Sequence, residues 1–306
     1  MSGKPMTTGG EATGPSGFTV SPPGFRLPAD LRLGTVRLQV ADLDRSVDYY
    51  QRVLGLGVLE STGDQAALVA QQGETPLIEL NQLRGATPVP RRGRLGLYHF
   101  ALLLPDRASL GRFLAHLGPL GEYAGMSDHL VSEALYLTDP DGLGIEVYAD
   151  RPRASWRMRG RALAMATDPL DVDDLVRAGE ERPWTGLPTS TRMGHVHLHV
   201  GDLGSASTFY HTALGLDRVV LDFPGALFMS AGGYHHHLGT NIWAAGAPPA
   251  APGDARLLEW TLQLPAPADV AAAARSLRGS GYEVRKESGE AVVADPWGIN
   301  LRLVAR

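Results

Sequence analysis

A histidine, a tyrosine and a glutamate lie close together in the stretch DHLVSEALYLTDPDGLGIEVYAD, which runs from Asp128 to Asp150. His129 is its second residue, Tyr136 follows seven residues later, and Glu146 follows ten after that, beyond an Asp-Pro-Asp-Gly turn sequence. Imidazole exchanges protons near neutral pH, and both imidazole and carboxylate bind divalent metals. The stretch is therefore either an ordinary hairpin with incidental polar residues or part of a metal site.

Six of the ten histidines form two further groups. The first group alternates with apolar residues, so on a strand its members share one face. The groups are His195, His197 and His199, and the consecutive residues His235, His236 and His237. The chain has no cysteine, so a metal must be bound by His, Asp or Glu. These groups indicate a second metal or anion site or a polar substrate pocket, or else a hydrogen-bonded polar interior.

The elements that must position these residues repeat along the chain. Residues 33–57, LGTVRLQVADLDRSVDYYQRVLGLG, match residues 193–217, MGHVHLHVGDLGSASTFYHTALGLD, at a constant offset of 160. Each copy alternates apolar residues, continues through Asp-Leu into helical spacing, and reaches a glycine that suits a helix end. Each copy therefore predicts a strand, a turn and a helix.

A fainter repeat lies inside each half. Residues 97–118 and 258–281 again predict a strand and a helix. Both halves then close on a strand–turn–strand segment, DPDGLGIEVY at 139–148 and DPWGINLRLV at 295–304. The chain thus contains four β-α-β-β-β-like units.

The length of 306 residues suits about two domains. Pairing units that are neighbours in the chain gives two domains and a linker, which we expect to be ordered because it contains Trp156 and Trp184. The expected segments are a disordered or extended N-terminal segment at 1–31, a first domain at 32–150, the linker at 151–190 and a second domain at 191–306.

Composition narrows the functional classes. The net charge of −5 gives no basic footprint for nucleic acid. No run approaches the ~18 apolar residues of a membrane span. The first 18 residues are rich in Gly, Ser, Thr and Pro and lack the apolar core of a secretion signal. We therefore expect a cytoplasmic protein, with self-association left open.

Several of these segments resemble a known family. The strand starts GTVRLQVADL and GHVHLHVGDL, the YY and FY helices and the DPDGLGIE close are similar to the vicinal oxygen chelate superfamily. That superfamily includes glyoxalase I, bleomycin-resistance proteins and extradiol dioxygenases, and YHHHLGTN further resembles its two-domain catechol-2,3-dioxygenase-like branch. The resemblance implies an α+β fold in which four βαβββ units pair into two open-barrel domains in tandem.

The resemblance also implies a metal site in the first barrel, with ligands on first and last strands. It assigns Glu79, His99 and Glu146 as ligands, His129 as the acid/base and Tyr136 as the residue that positions the substrate or an intermediate. Imidazole and carboxylate ligands with open coordination positions suit Fe(II), which we favour, and also Mn(II), Ni(II) or Zn(II).

Each expected barrel departs from the family pattern. The first has Thr35 where the pattern has a ligand. The second has Glu259 in the place of His99 and Arg302 in the place of Glu146, and an arginine repels a metal. We expect the active site in the first barrel, and a candidate second-barrel site at His195, His197, His235 and His237.

The implied function is an extradiol dioxygenase, a metal-dependent enzyme that cleaves the ring of a small aromatic diol. Two alternatives stay open: a glyoxalase-like isomerase or lyase, favoured by Glu79, and a non-catalytic small-molecule binding protein, favoured by Thr35 and Arg302. The sequence identifies no substrate-binding residue.

Overall fold

The structure, a computed structural model, describes residues 19–160 and 162–306. Most of the expected N-terminal tail, residues 1–18, lies outside the described residues. From residue 19 the segment is anchored, because Val20 pairs with Arg218 and Leu27 is buried. No helix among the described residues is long and apolar enough to cross a membrane.

The first two units each contain a strand, a helix and three further strands. The elements of unit 1 are β1 (Arg32–Val40), α1 (Leu43–Arg52), β2 (Gly57–Thr62), β3 (Gln65–Val69) and β4 (Ile78–Gln82). The elements of unit 2 are β5 (Gly96–Leu104), α2 (Arg107–Leu120), β6 (Gly125–Asp128), β7 (Ser132–Thr138) and β8 (Gly144–Asp150).

The linker then forms a short hairpin and a helix. Its elements are β9 (Met158–Arg159), β10 (Ala162–Leu163) and α3 (Val172–Gly179). Trp156 in this segment is buried, as expected of an ordered linker.

The last two units repeat the order of the first two, with a π-helical turn (Ser207–Ala213) extending the helix of unit 3. The elements of unit 3 are β11 (Arg192–His199), α4 (Leu203–Ala206), β12 (Asp217–Val220), β13 (Ala226–Ser230) and β14 (Leu238–Asn241). The elements of unit 4 are β15 (Arg256–Leu264), α5 (Pro267–Gly279), β16 (Val284–Glu287), β17 (Glu290–Ala294) and β18 (Asn300–Ala305).

The aspartates that recur after the first strands are helix N-caps. The carboxylates of Asp42, Asp106 and Asp202 accept hydrogen bonds from the backbone N–H groups three residues later, at 3.0, 2.7 and 2.6 Å. Such a cap satisfies one of the unpaired donors at a helix start and contributes roughly 1 kcal/mol. The sequence repeat therefore marks the point at which each strand turns into its helix.

The four units form two eight-stranded sheets. The terminal sheet joins units 1 and 4 in the order β16-β17-β18-β15-β1-β4-β3-β2, and the middle sheet joins units 2 and 3 in the order β12-β13-β14-β11-β5-β8-β7-β6. The predicted class, α+β with four βαβββ units paired into two barrel-like sheets, is confirmed. The predicted partners are wrong, because β1 pairs with β15 and β5 with β11, both antiparallel. The domain bounds themselves stay a prediction.

Strand alternation separates the core from the concave faces of the sheets. Phe100 and Leu102 on β5 and Val196 and Leu198 on β11 belong to the main apolar core. Side chains one residue out of step point to the opposite face of each sheet. Those positions of the middle sheet carry the histidines, so the sheet is apolar towards the core and polar in its concavity.

Candidate metal centre

Three adjacent strands of the middle sheet bring His99, Glu146 and His195 together. In their register Ala101 on β5 lies between Glu146 on β8 and His195 on β11, and His99 lies two residues before Ala101 on the same face. The Nε2 atoms of His99 and His195 lie 2.9 and 3.1 Å from Oε2 of Glu146 and 3.3 Å from each other. All three are buried, at 4, 2 and 1% exposure.

This geometry fits one divalent ion. Ligands about 2.1 Å from an ion and at right angles stand about 3.0 Å apart, close to the three observed separations. Nδ1 of His195 has no hydrogen-bond partner among the described residues, so Nε2 is the atom committed to the cluster. Two imidazoles and one carboxylate on one face of an ion leave its other coordination positions open. These three groups are the donor set of non-haem Fe(II) oxygenases.

The charges in the cluster also call for a cation. Burial would raise the pKa of Glu146, but attraction and hydrogen bonds from His195 and His99 outweigh it and hold that pKa well below its usual range. Burial lowers the pKa of His99, against the opposing effect of Glu146. Glu146 is thus an ionised, buried carboxylate whose only salt-bridge partners within the described residues are imidazoles, an arrangement that suits a divalent cation.

Tyr136 and His129 form a second pair beside this cluster. Tyr136 on β7 lies directly opposite Glu146 on β8, and its hydroxyl lies 2.5 Å from Nε2 of His129. Nδ1 of His129 donates to the carbonyl of Ala166 at 2.6 Å, so Nε2 is left to accept from the tyrosine. Burial, and then the charge of Glu146, raise the pKa of Tyr136 well above its usual value, which keeps the hydroxyl protonated.

The other two histidines of β11 belong to a polar wall built on Asn241. The side-chain amide of Asn241 donates to Nε2 of His197 at 3.0 Å, and its oxygen accepts from Nδ1 of His199 at 2.7 Å. Burial lowers the pKa of both imidazoles. Tyr98 packs against both, with ring centroids 5.2 Å from His197 and 4.7 Å from His199. These histidines are neutral wall residues next to the candidate metal centre.

The three consecutive histidines lie in the turn before β14, not on a strand. Nε2 of His235 lies 2.8 Å from Asp150, and Nδ1 of His237 accepts from the backbone N–H of Ala231 at 3.2 Å. The His236 ring packs on His195, with centroids 4.1 Å apart. The expectation of a separate second-barrel site is therefore wrong: His195 joins His99 and Glu146, while His197, His235 and His237 have other partners.

Glu79 lies in the terminal sheet, so its grouping with His99 and Glu146 is wrong. Its carboxylate accepts from Arg37 at 2.9 Å. At the places equivalent to His99 and Glu146, Glu259 and Arg302 pair at 2.6 and 3.0 Å. The hydroxyl of Thr35 donates to a backbone carbonyl, that of Pro76. The concave face of the terminal sheet therefore contains an ion-pair network at the place where the concave face of the middle sheet contains the candidate metal centre.

The linker closes the open side of the middle sheet. Leu163 and Met165 are buried in an apolar cluster with Val131 from unit 2 and Val220 from unit 3. The backbones of Asp128 and Asp168 exchange two hydrogen bonds of 2.9 Å each. The cluster also includes Phe228, whose ring lies 5.6 Å from that of His197. The linker therefore covers the same concavity that contains the candidate metal centre.

Comparison with known proteins is consistent with this geometry. The family model of the Glyoxalase/Bleomycin resistance protein/Dioxygenase superfamily matches residues 32–147 and 192–303. The chain belongs to this superfamily. The catechol-2,3-dioxygenase of Bacillus subtilis (strain 168) is 45% identical over 272 residues, which are 87% of this chain and 94% of that protein.

Solved structures show the superfamily fold. A protein from Bacillus subtilis subsp. subtilis str. 168, provisionally assigned as a dioxygenase, superposes with a TM-score of 0.62 at 15% identity, covering 92% of this chain and 86% of its own. Glyoxalase I from Zea mays superposes with a TM-score of 0.54 at 19% identity, covering 90% and 92%. At these identities the likeness concerns the fold alone.

Sequence reasoning missed three parts of this superfamily site. Asn241, Tyr98 and the Ala166 carbonyl carry no motif of their own. Asn241 had a usable signal, because it ends the strand that follows the three consecutive histidines. Gly239 gave a second signal, about Glu79: the 160-residue offset places this glycine at the position that Glu79 has in unit 1. A Cβ there would lie 2.8 Å from the His197 ring, so this site has no room for a counterpart of Glu79.

Proposed function

We propose that this chain is a metal-dependent extradiol dioxygenase that cleaves the ring of a small aromatic diol. The observation that carries the proposal is the convergence of His99, Glu146 and His195 beside Tyr136. The 45% identical catechol-2,3-dioxygenase supports the same reaction class. A small-molecule substrate agrees with these relatives; cytoplasmic location, self-association and the lack of a nucleic-acid partner stay predictions.

His99, His195 and Glu146 would hold the metal, with Fe(II) favoured by the donor set and Mn(II), Ni(II) and Zn(II) as alternatives. A metal held there would supply Lewis-acid chemistry, lowering the pKa of a substrate hydroxyl and supporting reaction with O2. The three strands that carry these ligands belong to one rigid sheet. The protein therefore contributes a preorganised ligand set that does not have to assemble on binding.

Tyr136 and His129 would handle protons next to the bound diol. Ring cleavage removes protons from the diol and needs a proton donor at a departing oxygen. Tyr136 remains protonated, and in the resting arrangement its hydroxyl donates a hydrogen bond to Nε2 of His129. The Ala166 carbonyl holds His129 in the tautomer that leaves Nε2 as acceptor. Such positioned acid–base groups contribute roughly 10²–10⁴-fold to a rate.

The walls of the concavity suit a flat, largely apolar ring. Tyr98, Trp243 and Phe228 present aromatic surface around His197, with ring centroids 5.2–5.7 Å from its ring. The linker residues Leu163 and Met165 exclude water from the same side. Exclusion of water strengthens the electrostatic interactions within the site.

The two rival functions have lost their sequence support. Glu79 favoured a glyoxalase-like isomerase or lyase, and it lies in the other sheet. Arg302 and Thr35 favoured a non-catalytic binding protein, and they too lie in the terminal sheet. None of the three bears on the candidate metal centre.

Metal analysis joined to an aerobic assay tests the proposal. After reconstitution with Fe(II), the protein is mixed with catechols and the yellow ring-cleavage product is followed by absorbance. We expect His99→Ala, His195→Ala and Glu146→Gln to lose both metal and product. Glu79→Gln should keep both, because its carboxylate belongs to the other sheet.

His116→Ala is the matched control, since this half-buried imidazole lies on α2, where it stacks on Trp184 and is hydrogen-bonded to the backbone carbonyl of Arg52, with no contact to the candidate ligands. It should bind metal and turn over like the wild type. A protein that carries one metal per chain but forms no product from any catechol would refute the dioxygenase proposal. Retention of metal by His195→Ala would refute the ligand set.

A further inference from the structure

A basic cleft lies behind the candidate metal centre, where β11 begins and the turn before β14 passes. Two adjoining hollows of about 360 and 250 Å³ share three lining residues, Arg192, Tyr234 and His237. The larger one is also lined by Arg153 and Trp156. None of these five residues has a role in the proposed reaction.

The cleft presents positive charge that the protein does not neutralise. The guanidinium of Arg192 makes no hydrogen bond or salt bridge within residues 19–160 and 162–306. Arg153 donates to the carbonyl of Gly232 at 2.7 Å and lies over the Trp156 ring at 5.4 Å. Two carboxylates line the hollows, and both have partners: Oδ1 of Asp150 is bonded by His235 and Tyr234 at 2.8 and 3.2 Å, and Asp30 pairs with Arg306 at 3.2 Å. In a chain of net charge −5, this arrangement favours an anion.

His237 adds a neutral donor to the two arginines. Its Nδ1 accepts from the backbone N–H of Ala231, so its proton is on Nε2. Burial, then repulsion from neighbours that include Arg192 and Arg153, lower the pKa of His237 to about 3. At neutral pH the ring therefore remains neutral and donates one N–H beside the two guanidinium groups.

The cleft is one layer of side chains away from the metal-binding cluster. The hydroxyl of Tyr234, which lines the cleft, lies 2.7 Å from the hydroxyl of Tyr148. The Tyr148 ring packs on His195 at 4.9 Å. A molecule in the cleft would therefore contact Tyr234. Tyr234 is hydrogen-bonded to Tyr148, and Tyr148 packs on the candidate ligand His195.

We propose that this cleft binds a small unsaturated carboxylate, the chemical class of the ring-cleavage product. The inference rests on the proposed function for the identity of the ligand. Cleavage of a catechol places one oxygen atom of O2 on each carbon of the broken bond. The carbon that carried a hydroxyl becomes a carboxyl group and its neighbour an aldehyde, so a neutral diol becomes an anion. Arginines take up the carboxylate, and Trp156 and Tyr234 contact the conjugated chain.

Titration calorimetry with cis,cis-muconate tests the proposal on the full-length protein as purified and after Fe(II) loading. We expect one binding event in the wild type, weakened about tenfold or more in Arg192→Gln and in Arg153→Gln, because each removes a charge-assisted hydrogen bond. Arg84→Gln, an exposed arginine outside the cleft, should bind like the wild type. Inorganic phosphate is the comparison ligand and should bind more weakly than muconate.

Equal muconate affinity in the wild type and both cleft variants would overturn the proposal. So would phosphate binding as tight as muconate binding, because the cleft would then recognise charge without the conjugated chain. Arg192 and the metal ligands are different residues, so the two proposals can fail separately. If the wild type binds muconate, Arg192→Gln does not, and the metal-loaded wild type turns over no catechol, the cleft is supported and the dioxygenase proposal is refuted.

Discussion

Replacing Tyr50 by phenylalanine probes the tie between α1 and the turn that precedes Glu146. The Tyr50 hydroxyl donates to Oδ2 of Asp139 at 3.1 Å, and both residues are buried, at 0 and 4% exposure. Oδ1 of Asp139 accepts from the backbone N–H groups of Asp141 and Leu143 at 2.9 and 2.8 Å. Tyr50→Phe leaves a buried carboxylate oxygen without a donor, which costs about 1–3 kcal/mol of stability.

The loss should depend on pH, because burial raises the pKa of Asp139 from 3.8 to about 7. With the native pKa above the unfolded value, the stability that this group contributes is fully present below pH 3.8. It is lost as the pH rises through 7, by about 4 kcal/mol for a difference of roughly three pKa units. The Tyr50 hydroxyl favours the carboxylate and opposes this loss. Tyr50→Phe should therefore be destabilised more at pH 8 than at pH 5.

Urea unfolding followed by circular dichroism at pH 5 and pH 8 measures both quantities. Tyr49→Phe is the matched control, since its hydroxyl, on the same helix, makes no hydrogen bond within the described part of the chain. It should be nearly neutral at both pH values. Equal destabilisation of Tyr50→Phe at the two pH values would refute the reasoning, as would an equal effect of Tyr49→Phe.

Three further substitutions test contacts in other parts of the structure. Arg302→Met should cost about 3 kcal/mol in urea unfolding, chiefly because Glu259, at 9% side-chain exposure, keeps only the longer 3.7 Å contact with Arg37. Metal content should be unchanged, and recovery of stability by a second change, Glu259→Gln, is the check. Gly194→Ala places a Cβ 2.0 Å from the Tyr148 hydroxyl and should destabilise by about 1–3 kcal/mol, whereas Gly118→Ala, which meets nothing within 4 Å, should not. Leu163→Ala should speed hydrogen exchange at the paired amides of Asp128 and Asp168 together, and the exposed linker change Val172→Ala should leave both protected.

The residues of the site could be predicted from the sequence better than their grouping. His99 and Glu146 lie at repeat positions that a single unit defines, and His195 was found in the same way. Which units share a sheet is a tertiary choice, because β1, β5, β11 and β15 have the same alternation and each leads into a helix. Consecutive elements usually lie together, and that general rule gave the wrong partners here. A signal did exist, since all ten histidines lie in units 2 and 3, whereas units 1 and 4 contain Thr35 and Arg302 at ligand positions.

The Ala166 carbonyl could not be predicted at all. It acts through its backbone, so its side chain carries no information about the hydrogen bond that it accepts from His129. The linker that contains it differs in sequence from every unit, and only the folded chain places it across the middle sheet. The role of such a segment follows from packing on Val131 and Val220, which lie far from it in sequence.

The two sheets solve one physical problem in two ways. Each has a polar concave face, and a buried carboxylate on such a face requires positive charge or it is strongly destabilising. In the terminal sheet Arg302 satisfies Glu259, Glu287 and Glu290, so the charge is supplied by the chain itself. In the middle sheet no arginine or lysine forms a salt bridge with Glu146 within the described residues, and its contacts are two imidazoles. The middle sheet thus leaves this carboxylate in a site that suits a divalent ion, whereas Arg302 fills the equivalent place in the terminal sheet. The same repeat thus yields one candidate reactive centre and one structural network.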